Sequence, residues 1–162
     1  MKILFLLSFL ILASCGAPET EFQGIDPEIQ IELNALNARI LKYSDEQLIS
    51  LTPINFKSTS THVAECHGEQ KNGKSAKEIF IDPEFWENNK DDKNAIHIVL
   101  MHEIGHCTYN LDHDDGRFEV GPNHYEAKSV MHQYWTYLII TFEPSLERYV
   151  KEFFNKTKGV IL

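Results

Sequence analysis

A fourteen-residue stretch, HEIGHCTYNLDHDD (102–115), concentrates side chains that can bind a metal ion or move a proton. His102 and His106 are four residues apart, so on a helix their imidazoles project from one face and both can reach one ion. Glu103 follows the first histidine, which completes an HExxH pattern. In this pattern two neutral histidines bind Zn²⁺ and the glutamate is the general base for a water molecule. The stretch therefore predicts a zinc site with an adjacent proton acceptor.

The residues around this pattern predict a buried helix. It begins near Asn94, where Asp91 or Asp92 can cap it, and its apolar side chains cover nearly every face. Placing two histidines and a glutamate in such a helix would cost roughly 2–7 kcal/mol for each unpaired polar group, and metal binding would relieve that cost. The apolar setting therefore favours a metal site over an accidental match.

Two histidines leave a tetrahedral ion short of a third protein ligand. Here the chain resembles the metzincin metalloproteases, whose HExxHxxGxxH signature ends the helix at a glycine and returns a third histidine to the zinc. Counted strictly, Tyr109 stands at the glycine position and Asp112 at the third ligand. Shifted by one residue, Asn110 precedes His113 by three, and asparagine tolerates the left-handed conformation that tyrosine adopts poorly. The tolerance of asparagine for this conformation therefore favours His113 as the third ligand, with Asp112 as the alternative.

The segment Ser129-Val130-Met131-His132 is similar to the Met-turn of the same family, in which a buried methionine lies beneath the zinc histidines. Met131 is 18 residues beyond His113. Some metzincins have a tyrosine shortly after this turn that stabilises the oxyanion, and the resemblance assigns that role to Tyr134. The usual position, two residues past the methionine, holds Gln133. The resemblance covers roughly residues 79–154.

The resemblance implies a zinc-dependent endopeptidase in which Glu103 accepts a proton from the attacking water and passes it to the leaving amine. Three histidine ligands leave one coordination position open, as in catalytic zinc sites. One alternative is a gluzincin-type zinc hydrolase with Glu126 or Glu119 from a later helix as third ligand. Another is a surface lipoprotein that binds a metal or a partner without catalysis. An intact Glu103 argues against the second alternative, since a structural metal site needs no general base.

The first fifteen residues, MKILFLLSFLILASC, resemble a bacterial lipoprotein signal. The apolar run is too short to span a bilayer, and its end resembles the lipobox in which Cys15 becomes the lipidated first residue. A secretory signal cleaved nearby, or an uncleaved anchor, is the alternative. We predict a signal peptide at 1–14, a tether at 15–25 and a zinc metallopeptidase domain at 26–162, exported and lipid-anchored to the cell envelope. Gly16 after the cysteine favours the outer membrane or the surface.

The chain of 162 residues is long enough for one domain, which we expect to be a monomer. Its formal charge is −9, and removal of a leader containing Lys2 changes this to −10. An acidic surface argues against nucleic acid as a partner. The expected partners are a protein or peptide substrate and, through the lipid, a membrane.

The chain has three cysteines. If Cys15 is acylated, Cys66 and Cys107 remain in a protein bound for an oxidising compartment, and an even number there predicts a disulfide. The alternative is a free Cys66 thiol acting as an inhibitory metal ligand.

The predicted fold is α+β: a small mixed sheet packed on an N-terminal helix and on the buried active-site helix, followed by the Met-turn and a C-terminal helix. Asp26-Pro27 begins the first helix and Glu143-Pro144 precedes the last. The segments 54–66 and 77–82 read as a hairpin or neighbouring strands around Asn72-Gly73. Pro83 ends the second strand, and a loop follows in which Phe85-Trp86 fills the core. A polar loop is expected between the third ligand and the Met-turn.

Overall fold

The structure, a computed structural model, describes residues 24–59, 61–71, 74–122, 124–133 and 142–158. These residues form an α+β fold with four helices and two small sheets. The predicted α+β class is confirmed. The helices are α1 (Pro27–Ile40), α2 (Pro83–Asn89), α3 (Lys93–Cys107) and α4 (Phe142–Thr157). The strands are β1 (Ile54–Phe56), β2 (Ala64–Lys71), β3 (Lys74–Ile81), β4 (Arg117–Gly121) and β5 (His124–Ala127). The predicted signal 1–14, including the lipobox, lies outside the described residues, as do Cys15 and Tyr134.

Helix α1 begins as its sequence predicts. The Asp26 carboxylate accepts a hydrogen bond from the Glu28 amide at 2.9 Å, and Pro27 occupies the first helical position, where a missing N–H costs nothing. Its buried stripe packs against α3. The stripe consists of Ile29, Leu33, Leu36 and Ile40.

The first sheet has the strand order β1-β3-β2. Strand β1 is parallel to β3, and β2 is antiparallel to it with Lys71 opposite Lys74. The predicted pairing around Asn72-Gly73 is therefore confirmed, although β2 extends beyond Cys66 and β1 is a separate short strand. Strand β2 is an edge strand among the described residues, and it packs against α3. This edge becomes one wall of the candidate site.

The loop predicted after Pro83 is wrong, because Pro83 begins helix α2. The Asp82 carboxylate accepts hydrogen bonds from the amides of Glu84 and Phe85, both at 3.0 Å. The pair Asp82-Pro83 is the same helix-start signal as Asp26-Pro27 in α1. Because it directly follows a strand, the sequence pattern indicates only the end of that strand. Trp86 is buried, as predicted, and Phe85 is partly buried.

The polar loop predicted before the Met-turn contains an antiparallel hairpin, β4–β5. The first four residues of β4 are exposed and Gly121 is partly buried. The strand therefore lacks the alternation of buried and exposed residues by which strands are recognised. Phe118, Val120 and Tyr125 stay at least 42% exposed, which explains why no periodic signal marked this hairpin.

Helix α3 is the central element of the fold. The Asp92 carboxylate caps it by accepting from the amides of Asn94 and Ala95, and its residues from Ala95 to Gly105 are all buried. It lies against α1, α2, α4 and both longer strands of the sheet. Burial on every face fixes its side chains, so the functional groups on it are held rigidly.

None of the described helices is both long and apolar enough to cross a bilayer.

Candidate metal centre

Helix α3 and the loop after it bring His102, His106 and His113 together. One nitrogen from each ring forms a group in which all atoms lie within 4.8 Å of one another. Ring centroids are 4.6 Å apart for His102–His106 and His106–His113, and 5.4 Å apart for His102–His113. In the part of the chain that the structure describes, this is the one group of three or more possible metal ligands. Asp112, the alternative third ligand, is exposed and does not belong to it.

Backbone carbonyls fix the orientation of two of these rings. His102 Nδ1 lies 2.9 Å from Val130 O, and His106 Nδ1 lies 2.6 Å from Leu111 O. A carbonyl oxygen can only accept, so each Nδ1 carries a proton and, in the neutral ring, each Nε2 presents a lone pair. The two Nε2 atoms are 3.0 Å apart. Since neither can donate to the other in this state, their approach fits a cation placed between them.

Burial also keeps these rings neutral. Loss of solvent lowers the pKa of His102 to about 4, and the same cause lowers the pKa of His106 below its ordinary value. Their contacts with carbonyl oxygens act in the opposite direction but are the smaller effect. Neutral imidazole is the form that ligates a metal ion.

The chain reverses direction at Asn110 to bring His113 back to the helix. Asn110 has a φ of +58°, the left-handed conformation predicted for it. The Leu111 amide then donates to Gly105 O at 3.0 Å, which caps the end of α3. The turn thus positions Leu111 O for His106 and directs the following residues towards the site.

Met131 lies directly beneath α3. It is fully buried, and a Cβ built on Gly105 would come within 2.5 Å of its sulfur. Any side chain at 105 would therefore force the Met131 side chain to shift. The turn that carries Met131 also supplies Val130 O to His102, so the segment identified by its resemblance to a Met-turn orients one of the three histidines.

The loop that carries His113 is tied to this turn. The Asp114 amide donates to Met131 O at 3.0 Å, and the Gln133 amide donates to the Asp115 carboxylate at 3.0 Å. Arg117 Nε donates to Nε2 of the buried His132 at 3.0 Å. Burial and this guanidinium both lower the pKa of His132. These contacts connect the third histidine to the same support that orients the first.

Glu103 is buried beside the histidine group. Burial raises its pKa to about 7, the nearby Glu65 adds to the increase, and the Cys66 amide opposes it by hydrogen bonding to the carboxylate. Glu103 reaches solvent through a cleft of about 610 Å³. The three histidines, Glu103, Gln133 and the segment 61–66 line this cleft.

Cys66 and Cys107 form a disulfide, with the sulfurs 2.02 Å apart. Cys107 lies one helical turn after Glu103, so the bridge joins the strand whose amide contacts Glu103 to the helix that carries it. In this arrangement Cys66 is not a free thiol, and the inhibitory-ligand alternative does not apply to the bridged chain. The bridge closes a loop of 41 residues, for which chain entropy predicts a contribution of about 4 kcal/mol.

Replacing both cysteines, as Cys66→Ala with Cys107→Ala, should therefore lower the free energy of unfolding by about 4 kcal/mol in urea denaturation. The unmodified chain unfolded in the presence of a dithiol reductant is the control and should lose the same amount. An unchanged urea midpoint in both would contradict a stabilising role for the bridge.

The other predicted or alternative site residues are placed elsewhere. Glu126 lies on strand β5, not on a helix, and its carboxylate accepts hydrogen bonds from Arg148 and Ser145. Glu119 is exposed on β4. Neither belongs to the histidine group.

Several residues at the site carried no recognisable sequence signal. The cleft wall from 61 to 66 is identified only by the packing of β2 on α3. Lys77 contacts the end of α3 across 30 residues of sequence, a relationship no local pattern reveals. The carbonyl of Val130 is different, because its position in the Ser129–His132 segment could have suggested a role beneath the first histidine.

Comparisons with protein-family models, with curated proteins and with solved structures found no match to this chain.

Proposed function

We propose that this chain is a zinc-dependent endopeptidase whose metal is held by His102, His106 and His113, with Glu103 as the general base. The main support is that the Nε2 lone pairs of His102 and His106 approach within 3.0 Å of each other, beside a buried carboxylate that lines an open cleft. A cation between the two lone pairs would stabilise this arrangement.

The donor set fits zinc. Three neutral imidazoles are suitable ligands for Zn²⁺, and tetrahedral Zn–N bonds of about 2.0–2.1 Å require nitrogens about 3.3 Å apart. The His102 and His106 nitrogens are close to that separation at 3.0 Å. His113 is exposed, so its ring can adjust at little cost in packing. Three protein ligands leave a coordination position for a reactant, as in catalytic zinc sites.

Bound zinc would lower the pKa of a water molecule in the cleft and polarise the carbonyl that it attacks. The protein supplies the proton transfer. Glu103 accepts the proton on a carboxylate oxygen, with the Cys66 amide holding the carboxylate in place. Glu103 then donates that proton to the amine that leaves as the peptide bond breaks.

The edge strand β2 is suited to bind an extended peptide. The Asp82 amide donates to Val63 O at 2.9 Å, so Val63 and Glu65 direct their backbone groups towards β3. The alternation of an antiparallel ladder then turns the backbone groups of Ala64 and Cys66 towards the cleft. Because the Cys66 amide bonds to Glu103, a peptide would pair with Ala64 and with the Cys66 carbonyl. A peptide added along this edge would pass the histidine group with its backbone hydrogen-bonded. This supports a peptide or protein as the substrate.

We further propose a metzincin-like organisation, in which Met131 supports the histidines and Asn110 takes the place of the family glycine. The Met-turn resemblance, the left-handed Asn110 and the apolar face that α4 buries after the turn support this proposal. Export with a lipid anchor at Cys15, zinc as the cofactor and an oxyanion role for Tyr134 remain parts of the same proposal.

The direct test is cleavage of denatured casein by the purified protein. We expect cleavage that a chelator abolishes and that stoichiometric zinc restores, because the three imidazoles release and rebind the ion. Calcium added to the chelated protein is the control and should restore nothing, since calcium prefers oxygen ligands. Undiminished cleavage by protein shown to be metal-free would contradict the proposal.

A further inference from the structure

The turn after α3 uses an asparagine where left-handed backbone is required. At φ +58°, Asn110 adopts a conformation that strains an L-residue and that glycine adopts freely. Among the described non-glycine residues it is the one with positive φ. Asparagine tolerates this conformation less freely than glycine, so a contact that holds its side chain would make the turn better defined.

Lys77, on strand β3, makes that contact. Its Nζ donates to Asn110 Oδ1 at 2.7 Å and to Cys107 O at 3.2 Å. Cys107 O is one of the last carbonyls of α3, where no helical amide remains to bond it and where the helix dipole favours a cation. The ammonium thus caps the helix and holds the asparagine side chain in the same contact.

The held turn determines the position of two histidines. The residue after Asn110 donates its amide to Gly105 O at 3.0 Å and presents its carbonyl to His106 Nδ1 at 2.6 Å. His113 follows three residues after Asn110. A shift in this turn therefore changes both the orientation of the His106 ring and the reach of His113.

We propose that Lys77 is a positioning residue for the metal centre, acting by holding Asn110 in the left-handed conformation that glycine would adopt unaided. This inference rests on the proposed zinc site. It assigns Lys77 no contact with the metal or the substrate. It also makes a distinctive prediction: the need for Lys77 should disappear when residue 110 is glycine.

The test is a double-mutant cycle in zinc affinity, measured by competition with a chelating dye. We expect K77M to weaken zinc binding about 10- to 100-fold, the range for losing a group that orients a ligand. We expect N110G to bind zinc nearly as tightly as the unaltered chain. In the N110G background, K77M should cost much less affinity. K57M is the matched control, since Lys57 lies over the Phe80 ring at 4.0 Å and its loss changes the charge equally.

An equal loss from K77M in both backgrounds, or no loss in either, would overturn the inference. If the unaltered chain binds no zinc, the proposed function fails separately. The same four proteins are then compared by the melting temperature of the metal-free chain. There K77M should lower the melting temperature more in the Asn110 background than with N110G. Equal decreases would overturn the positioning role independently of the metal.

Discussion

Glu103→Gln should lower kcat for casein peptides by about 10²- to 10⁴-fold while zinc stays bound. Glutamine preserves the shape of the side chain and can still accept the Cys66 amide, but it cannot take a proton from water at neutral pH. The three histidines are unchanged, so metal content should match that of the unaltered chain. The measurement combines steady-state kinetics with elemental analysis of the same samples.

Glu69→Gln is the matched control for this substitution. Glu69 lies on the same strand as Cys66 but is exposed, and its carboxylate is 3.6 Å from His67 Nε2. Its variant should keep full activity. If the chain binds zinc but neither the unaltered protein nor any variant cleaves peptides, the result contradicts the proposed peptidase activity and favours the non-catalytic metal-binding alternative.

His113→Ala should weaken zinc binding by more than about 100-fold, because loss of a ligand should exceed the 10- to 100-fold effect of losing an outer contact. The side chain is exposed and makes no contact that the core requires, so the fold should survive. Peptide cleavage should be lost in proportion to bound metal. Zinc affinity and circular dichroism on one sample separate metal loss from unfolding.

Glu126→Ala and Asp112→Ala distinguish this ligand set from its alternatives. Both variants should keep the zinc affinity of the unaltered chain. Glu126→Ala should instead lower stability, since Arg148 and Ser145 lose the carboxylate that they share. Zinc loss in Glu126→Ala with retention in His113→Ala would establish the gluzincin-type arrangement.

The elements that sequence predicts well here are those with a local physical cause. Asp26-Pro27 provides both a cap and a fixed φ for α1, and the apolar run before His102 can be accommodated only by a buried helix. The left-handed Asn110 is expected from the metzincin resemblance, in which a glycine precedes a histidine by three residues, and from the tolerance of asparagine for this conformation. In each case a few neighbouring residues determine the conformation.

The features that escape prediction depend on contacts between distant segments. The β4–β5 hairpin has exposed side chains on most positions, so its strands are held by backbone pairing without a hydrophobic pattern. The residues that start helix α2 also end β3, so the sequence is compatible with a helix or a loop at this point. The packing of Trp86 into the core favours the helix. Lys77 reaches Asn110 because β3 passes the end of α3, which depends on the sheet register. Tertiary structure supplies these relationships.

Anomalous X-ray scattering at the zinc absorption edge, recorded from crystals of the purified protein, is the decisive test of the three-histidine zinc site. We expect one strong peak per chain, about 2.0–2.1 Å from Nε2 of His102, Nε2 of His106 and one ring nitrogen of His113. A crystal without such a peak, or with the peak coordinated by Asp112 or Glu126 in place of His113, would contradict this site.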